Sequence, residues 1–392
     1  MKTILLVQPS MQPPGGGNGV AVWIVEALKR DHAVSLLTWE PVHLDSINRY
    51  YGTALSAADF RAYGVPPALR RLLALVPTPA SLLKNHLLLR FCKKLKNDYD
   101  VIITANNEAD FGRPGIQYIH FPWACLPRPP ADLSWYHRFP GVVNAYHRLC
   151  AQVAGFSFDQ MRQNLTLVNS AWTGSKVRER HGIESIVLYP PIAADFPDIP
   201  WQERENGFVC IGRIAPEKEL DKIIDILAWL RSGGSDLHLH LIGSRDDPRH
   251  YYERILRRVR ANASWIFFEE NVPRERLVRL VSTHRYGIHG MEEEHFGMAV
   301  AEMIQGGCIV FAPRGGGLTE IIGKEDRLLY GTREEAATKI IRAMTDADLR
   351  FSLRSHLSGQ KSLFSVDHFI RRIREIVNEF DAASTSGPAG SR

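Results

Sequence analysis

The sequence predicts an α/β protein made of two units, each with a parallel sheet. Its 392 residues exceed the usual size of a single domain. Short apolar runs at residues 3–7 and 32–38 flank a segment of helical length at residues 20–28. This β-α-β alternation recurs along the chain and is typical of parallel sheets covered by helices. We therefore expect two Rossmann-like domains.

Proline and acidic residues mark a boundary near the middle of the chain. Pro197 and Pro200 lie in an irregular acidic segment that indicates a linker. An apolar stripe near the C-terminus predicts a last helix, and the small polar residues after it predict disorder. The predicted boundaries are an N-terminal domain at 1–192, a linker at 193–206, a C-terminal domain at 207–365, a helix at 366–381 and a disordered tail at 382–392.

Composition narrows the functional class. The net charge of +5 is mild, and no zinc-finger or RNP-type motif indicates nucleic acid. No stretch approaches the ~20 apolar residues of a membrane span, and the first apolar run is too short for a signal peptide. We expect a cytoplasmic protein. Five scattered cysteines without a C-x-x-C pair indicate free thiols in a reducing compartment: Cys92, Cys125, Cys150, Cys210 and Cys308.

The stretch from residue 290 to residue 302 carries the strongest functional signal. Its apolar positions predict a helix that begins after Gly297 and stops at Gly306. Glu294 then lies in the loop before the helix, and Glu302 follows eight residues later, inside the helix. A strand-like run at residues 285–289 precedes the loop, and open α/β sheets bind ligands at the carboxyl ends of their strands. We expect both carboxylates to face one pocket.

A second strand-to-helix loop carries two cations. Arg213 and Lys218 follow the strand that ends at Gly212, and both can converge on a diphosphate. A pair of ordinary surface charges is the alternative.

The N-terminal half offers weaker candidates. Gly15, Gly16 and Gly17 join a strand to a helix, yet their spacing fits neither G-x-G-x-x-G nor the Walker pattern, so a tight turn explains them equally well. His120 lies at the carboxyl end of a strand. It is either a functional residue that faces a cleft or a structural histidine. Asn169 follows the next strand in a polar turn.

Three further patterns have ordinary explanations. The basic, leucine-rich segment 66–96 can contact an anionic membrane or form a pair of helices with core and solvent sides, and the second interpretation is slightly favoured. Asp98 and Asp100 resemble a metal-binding D-x-D, but acids commonly begin a buried strand. His238 and His240 alternate along a strand face and, without acids nearby, suggest no metal site.

Together, these motifs resemble the family 4 retaining glycosyltransferases. The resemblance spans both halves of the chain, and the order and spacing of the motifs are specific. They are Gly15-Gly16-Gly17, Asn169-Ser170, Gly212-Arg213 with Pro216-Glu217-Lys218, Glu294-x7-Glu302 with Phe296-Gly297, and Gly316-Gly317 with Glu320. Within the family, the motifs around His120, Tyr189, His289 and His295 are most similar to the dolichol-oligosaccharide α-1,2-mannosyltransferase group. The resemblance implies the GT-B fold, with two Rossmann-like domains facing across a cleft.

The resemblance also implies roles for individual residues. Arg213 and Lys218 would neutralise the diphosphate of a nucleotide sugar, Glu302 would accept hydrogen bonds from ribose, and Glu294 would hold the donor sugar. His120 would lie near the transferred sugar, so the implied catalytic set is Arg213, Lys218, His120 and Glu294. Further donor-binding residues would be Gly16, Gly17, Gly212, His295, Phe296 and Gly297, and the acceptor side would comprise Gly15, Asn18, His120 and Asn169.

The implied reaction moves a hexose, with mannose from GDP-mannose favoured and a UDP-sugar as the alternative. It needs no cofactor and no metal ion, and it would proceed by front-face substitution, in which the leaving phosphate takes the acceptor proton. A glycan, a glycolipid or a small molecule would be the acceptor, and the protein could contact the inner face of a membrane. A nicotinamide-dependent oxidoreductase is disfavoured by the glycine spacing. A non-catalytic sugar-nucleotide or membrane-binding protein would be expected to lack Arg213, Lys218 or Glu302, and all three are present.

Overall fold

Two compact units make up the protein. The computed structural model describes residues 1–12, 15–65, 70, 81–123, 139–193, 195–245 and 249–385. Of these, the residues up to Pro191 and those from Asp367 onward form unit 1, whereas the residues from Ile192 to Val366 form unit 2. Each unit contains a parallel sheet with flanking helices, which confirms the predicted fold class of two Rossmann-like units.

Unit 1 contains a seven-stranded sheet in the order 3-2-1-4-5-6-7, with every neighbouring pair parallel. Its strands are β1 (Thr3–Val7), β2 (Ala33–Thr38), β3 (Phe60–Gly64), β4 (Val101–Thr104), β5 (Ile116–Ile119), β6 (Leu165–Val168) and β7 (Ile186–Val187). Its helices before residue 192 include α1 (Gly16–Leu28), α2 (Leu44–Tyr51), α3 (Ser81–Leu95), α4 (Pro140–Ala154), α5 (Phe158–Met161) and α6 (Ala171–His181).

Unit 2 contains a six-stranded parallel sheet in the order 10-9-8-11-12-13. Its strands are β8 (Glu205–Ile211), β9 (His238–Gly243), β10 (Ile266–Glu270), β11 (His284–Ile288), β12 (Ile309–Pro313) and β13 (Leu329–Tyr330). Its helices include α7 (Leu220–Ser232), α8 (Arg249–Ala261), α9 (Arg274–Thr283), α10 (Met298–Gln305), α11 (Leu318–Ile321), α12 (Arg333–Thr345) and α13 (Ala347–Gln360). Short 3-10 helices occur at Trp201–Glu203, Pro216–Lys218, Asp326–Leu328 and Lys361–Phe364.

The strand order of each sheet locates the place where a ligand can bind. In both units the order reverses beside the first strand, between β1 and β4 in unit 1 and between β8 and β11 in unit 2. Loops leave the carboxyl ends of such strand pairs in opposite directions, which opens a crevice there. The candidate loops after β8 and β11 therefore flank the crevice of unit 2.

Helix α10 matches the prediction from its apolar pattern. It buries Val300, Ala301, Met303 and Ile304, and it begins after Gly297, whose φ of 114° is a left-handed conformation that favours glycine. At its C-terminal end, the amide of Gly306 donates a hydrogen bond to the carbonyl of Glu302 at 2.9 Å. Glu294 consequently lies outside the helix and Glu302 inside it, as predicted.

The C-terminal helix α14 (Val366–Thr385) runs four residues beyond the predicted end at residue 381. Its apolar stripe, including Phe369 and Ile373, is buried, and the Arg374 Nε donates to the carbonyl of Ala27 at 2.8 Å. In the segment predicted as a linker, unit 2 already includes a 3-10 turn and the start of β8. Residues 386–392 of the predicted tail lie outside the described residues.

The described part of the basic segment packs into unit 1. Helix α3 buries Leu88, Leu89 and Cys92 in a core cluster. The Lys93 Nζ lies 2.6 Å from Asp110 Oδ2, and the Lys96 Nζ donates to the carbonyl of Gly112 at 2.8 Å. Residues 66–69 and 71–80 of this segment lie outside the described residues. Among the helices that the structure describes, none combines the length and the apolarity needed to span a bilayer.

The cysteines of the described residues are free thiols, as predicted, and all four are buried. Burial raises the pKa of Cys92, Cys210 and Cys308 to about 12, so these thiols stay protonated and unreactive. Cys125 lies outside the described residues.

The Lys93–Asp110 contact gives a test of the packing of α3. In Lys93→Met the Asp110 carboxylate, which is 1% exposed, keeps two backbone donors but loses its cation. We expect the free energy of unfolding to fall by about 1–3 kcal/mol in urea denaturation. Lys94→Met on the exposed side of the same helix is the control, and its change should stay within about 0.5 kcal/mol. Equal effects in the two variants would show that the buried contact is unimportant.

Candidate functional site

Lys218 and Glu294 meet at the crevice of unit 2. Lys218 ends the 3-10 helix after β8, and its Nζ lies 2.5 Å from Glu294 Oε2 in the loop after β11. The same carboxylate oxygen is 3.2 Å from His289 Nε2, directly after β11. The side chains of Lys218 and Glu294 are only 14% and 19% exposed. Two predicted site residues therefore meet, together with a histidine that was noted in the sequence only as part of the family resemblance.

The charges around Glu294 fix its ionisation. Burial opposes the ionised form, but the Lys218 ammonium and the hydrogen bond from His289 outweigh it and hold the pKa of Glu294 below its ordinary value. Burial lowers the pKa of His289, and the carboxylate offsets this only in part. At neutral pH, Glu294 is thus an anion between a cation and a neutral imidazole, and His289 Nε2 donates because a carboxylate can only accept.

Glycines hold the loop of residues 290–297, which we call the acid loop, against a neighbouring glycine turn. A Cβ atom on Gly315, Gly316 or Gly317 would lie 2.7, 2.3 and 2.6 Å from backbone oxygens of the acid loop. Gly316 also has a φ of 56°, and the Gly317 amide donates to the carbonyl of Glu294 at 2.8 Å. Only glycine permits this approach, so the glycine turn fixes the backbone position of Glu294.

The Lys218 side of the site is held in the same way. A Cβ atom on Gly290 would lie 2.5 Å from the carbonyl of Lys218, and one on Gly243 would lie 1.8 Å from the carbonyl of Gly212. The loop after β8 is further attached to the residue that follows β9, because the Ile214 amide donates to the carbonyl of Ser244 at 2.9 Å. Backbone contacts therefore position the cation as well as the acid.

Arg213 lies in the same loop but is much more exposed. Its side chain is 57% exposed, and the Nη2 lies 3.0 Å from Glu217 Oε1. Lys218 is the cation in direct contact with Glu294, whereas Arg213 pairs with Glu217 in its own loop. The predicted convergence of the two cations on one ligand stays a prediction.

Glu302 forms a separate ion pair. It contacts the guanidinium of Arg274, the first residue of α9, and that guanidinium also lies 3.4 Å from Asp195 Oδ1 and over the ring of Phe196. Burial raises the pKa of Glu302, and the Arg274 charge offsets part of the rise. Arg274 was missed in the sequence because a charge after Pro273 at a helix start is commonplace. The predicted shared pocket for Glu294 and Glu302 stays a prediction.

The remaining residues of the acid loop provide support. Phe296 is buried, and His295 is half-buried with its carbonyl against the glycine turn. The residue just before the acid loop is also fixed, because the Tyr330 hydroxyl donates to the carbonyl of His289.

The N-terminal candidates form a group of their own within unit 1. His120 follows β5, its Nε2 lies 2.9 Å from the carbonyl of Ala105, and a Cβ atom on Gly17 would lie 3.6 Å from that nitrogen. Asn169 Nδ2 donates to the carbonyl of His120 at 3.0 Å. Nearby in the sequence, Gly16 begins α1, Gly15 exchanges two 2.7 Å hydrogen bonds with the Tyr51 hydroxyl, and Asn18 accepts one from Gln8.

The D-x-D pattern has a structural explanation. Asp100 Oδ2 accepts hydrogen bonds from the amide and the hydroxyl of Thr3 at 2.7 and 2.9 Å. The backbone hydrogen bond lowers the pKa of Asp100. This acid joins the starts of β1 and β4, as expected for an acid at a strand entry.

The fold has counterparts among solved structures. Anabaena HepE, solved in complex with UDP and glucose, is similar with a TM-score of 0.67 at 16% identity, covering 97% of this chain and 100% of HepE. WaaG, a glycosyltransferase involved in lipopolysaccharide biosynthesis, has a TM-score of 0.66 at 16% identity, covering 95% of this chain and 98% of WaaG. These likenesses confirm the predicted GT-B fold.

Residues 192–357, which lie in unit 2, match the family Glycosyl transferases group 1. The chain is also similar to the GDP-Man:Man(3)GlcNAc(2)-PP-Dol alpha-1,2-mannosyltransferase of Homo sapiens, at 28% identity over 230 residues, or 53% of this chain and 46% of the relative. The chain spans about half the length of the curated relatives it matches.

The glycine turn gives a test of how the site is held. In Gly316→Ala, an added Cβ meets the Glu294 carbonyl and also strains a left-handed residue. Gly234→Ala is the matched control, because Gly234 has a φ of 92° but open space around it. Urea denaturation should show a loss of about 1–2 kcal/mol for the control, from strain alone, and a clearly larger loss for Gly316→Ala. If Gly316→Ala loses no more stability than the control, the glycine turn does not hold the backbone of Glu294 in place.

Proposed function

We propose that the protein is a family 4 retaining glycosyltransferase that moves a hexose from a nucleotide-diphosphate sugar to a hydroxyl of a glycan, a glycolipid or a small molecule. The observation that carries the proposal is the contact of the Lys218 ammonium with the ionised Glu294 at the crevice of a group 1 glycosyl transferase domain. A cation for phosphate and an anion for sugar hydroxyls are adjacent there, as a nucleotide sugar requires.

Donor binding would exchange partners at this contact. An ammonium has three donors. Among the described residues, Lys218 Nζ contacts Glu294 Oε2 at 2.5 Å and Met291 Sδ at 3.2 Å, so one donor remains for a phosphate oxygen. As the diphosphate draws Lys218 towards itself, Glu294 can accept hydrogen bonds from the donor sugar. His289 would keep the carboxylate oriented during this exchange.

Lys218 would also act in the chemical step. Breaking the anomeric bond places negative charge on the departing diphosphate, and a positioned cation in a site poor in water stabilises that charge. One such group accounts for roughly 10²-fold to 10³-fold in rate. Arg213, in the same loop, would swing from Glu217 to the phosphates and add a second charge.

The other predicted residues complete the proposal. Glu302, oriented by Arg274, would bind the ribose hydroxyls, and the backbone of residues 295–297 with Gly212 would line the donor. In unit 1, His120 would lie near the transferred sugar, with Gly15, Gly16, Gly17, Asn18 and Asn169 around the phosphate or acceptor. Retention by front-face substitution, without a metal ion, is part of the proposal on the strength of the family resemblance.

Mannose from GDP-mannose is the favoured donor, because the similar curated proteins are named as GDP-mannose α-1,2-mannosyltransferases. A UDP-sugar is the alternative, which the complex of HepE with UDP and glucose supports. A thermal-shift panel of GDP-, UDP- and ADP-sugars separates the two, since a ligand that binds only the folded state raises its melting temperature. No shift with any of them would overturn the donor site.

A cytoplasmic location with peripheral membrane contact through residues 66–96 belongs to the proposal as well. Arg90, Lys93 and Lys96 already bind carbonyl or carboxylate oxygens of unit 1. The exposed Arg70 and Lys94 are therefore the better candidates among the described residues for contact with anionic headgroups.

Lys218→Met tests the catalytic assignment. We expect turnover to fall at least tenfold, and by about 10²-fold if the cation acts in the transition state, while circular dichroism stays unchanged. Lys222→Met is the matched control, because Lys222 lies one helical turn later and pairs with Glu292, also in the acid loop. Its turnover should stay within about twofold of the original. Unaltered turnover in Lys218→Met would refute the role.

Glu302→Gln tests the ribose assignment by calorimetry. The substitution keeps the side-chain volume but removes the charge, and GDP affinity should fall about tenfold because hydrogen bonds to charged groups are worth about 1.5–3 kcal/mol. The original protein should bind 2′,3′-dideoxy-GDP more weakly than GDP, whereas the variant should bind both alike. If the variant still discriminates fully between them, Glu302 does not contact the ribose.

A further inference from the structure

Three histidines of unit 2 meet at the opposite end of the sheet from the acid loop. His238 and His240 lie on one face of β9, and His284 begins β11. One ring nitrogen from each lies within 4.8 Å of the others. We call this group the histidine cluster. From the sequence, His238 and His240 suggested no metal site, and His284 was not considered because it lies 46 residues from His238 and only the strand order brings them together.

The sheet leaves room for the three rings. Strand β8 runs between β9 and β11, and it carries Gly207 opposite His238. A Cβ atom at Gly207 would lie 2.4 Å from His238 Nε2 and 2.7 Å from His284 Cδ2. The rings therefore occupy the space that a side chain on the central strand would fill.

Hydrogen bonds on the outer side of two rings fix their tautomers. His284 Nδ1 lies 2.7 Å from the carbonyl of Leu280, and His240 Nδ1 lies 3.0 Å from Glu269 Oε1. Both partners can only accept, so both Nδ1 atoms carry the proton in the neutral rings. The Nε2 atoms of His240 and His284 are consequently left with lone pairs.

The third ring and the nearby acids complete a donor set. His238 Nε2 lies 2.9 Å from His284 Nε2 and 3.4 Å from Glu205 Oε2. Glu269, behind His240, is held as an anion by Arg276 at 2.8 Å. A histidine ligand backed by a carboxylate or a carbonyl is the usual outer-shell arrangement at metal sites.

We propose that the histidine cluster binds a divalent transition-metal ion, Zn²⁺ in particular, through three imidazole nitrogens, with Glu205 or water as the fourth ligand. Three histidines with one further position make up a common tetrahedral zinc site. Zn–N bonds of about 2.0 Å place ligand nitrogens about 3.3 Å apart, so small side-chain rotations close the cluster. When the ion binds, the proton of His238 Nε2 that faces His284 Nε2 moves to His238 Nδ1, and the ion takes its place between the two rings.

The surroundings fit entry of an ion from solvent. A cavity of about 590 Å³ is lined by the histidine cluster together with Glu205, Glu269 and Arg276. Strand β9 spans six residues and the cluster occupies its first half, which places the cluster roughly 10–17 Å from the carboxyl end of the sheet. The ion would tie β8, β9 and β11 together and take no part in sugar transfer, so the inference is independent of the proposed function.

Metal content and binding test the proposal on the full-length chain. Protein treated with a chelator and dialysed is titrated with Zn²⁺ against a chromophoric competitor, and we expect one equivalent per chain and a raised melting temperature. Co²⁺ should give the visible absorption of a tetrahedral, nitrogen-rich site. Absence of a stoichiometric site, or a Co²⁺ spectrum of a six-coordinate surface ion, would overturn the proposal.

Variants localise the site. His238→Asn and His240→Gln should each weaken Zn²⁺ binding at least tenfold, and Glu269→Gln should weaken it about 10-fold to 100-fold through its effect on His240. His250→Asn, at an exposed histidine of α8, is the control and should leave affinity unchanged. Circular dichroism establishes that each variant is folded. If His238→Asn and His240→Gln both keep the Zn²⁺ affinity of the unaltered protein, or if the control loses as much, the ion binds to surface histidines instead.

Discussion

Close approach of backbone to backbone is the constraint on which the site depends. The acid loop touches the turn of Gly315, Gly316 and Gly317 on one side and the end of the loop after β8 on the other, at distances that exclude a Cβ atom. Because these contacts are between main chains, they set the position of Glu294 and Lys218 before any side chain adjusts. The ion pair of Lys218 and Glu294 therefore follows from the backbone fold and does not require a search by flexible side chains.

Charge is balanced within each part of the site before a ligand arrives. Glu294 has Lys218 and Glu302 has Arg274, so neither carboxylate is left uncompensated in a partly buried position. Such balance lowers the cost of keeping charged groups away from water in the unliganded protein. A neutral His289 beside Glu294 adds a donor without adding charge. An incoming anion is met by a cation that is already ordered, which reduces the entropy lost on binding.

The local sequence pattern was sufficient to predict the helix and loop that flank the site. It was not sufficient to predict the side-chain contacts within the site. The apolar spacing of α10, stopped by Gly306, placed Glu294 before the helix and Glu302 within it. By contrast, Arg274 reaches Glu302 across 28 residues, and His284 reaches His238 across 46. These contacts depend on which strands and helices become neighbours in the fold. A short segment of sequence does not predict those neighbours. The carboxylates that contact His238 and His240, Glu205 and Glu269, likewise come from other strands, β8 and β10.

The chain path of unit 1 has a consequence for the order of events during synthesis. Unit 1 begins at the N-terminus but includes the residues from Asp367 onward, whose Arg374 binds the end of α1. The ribosome must therefore release all of unit 2 before unit 1 has its full set of helices. Domains generally fold as they emerge. Unit 2, although it is synthesised later, can therefore complete its fold first. Until α14 is released, unit 1 lacks this helix, and the surface that α14 covers is exposed.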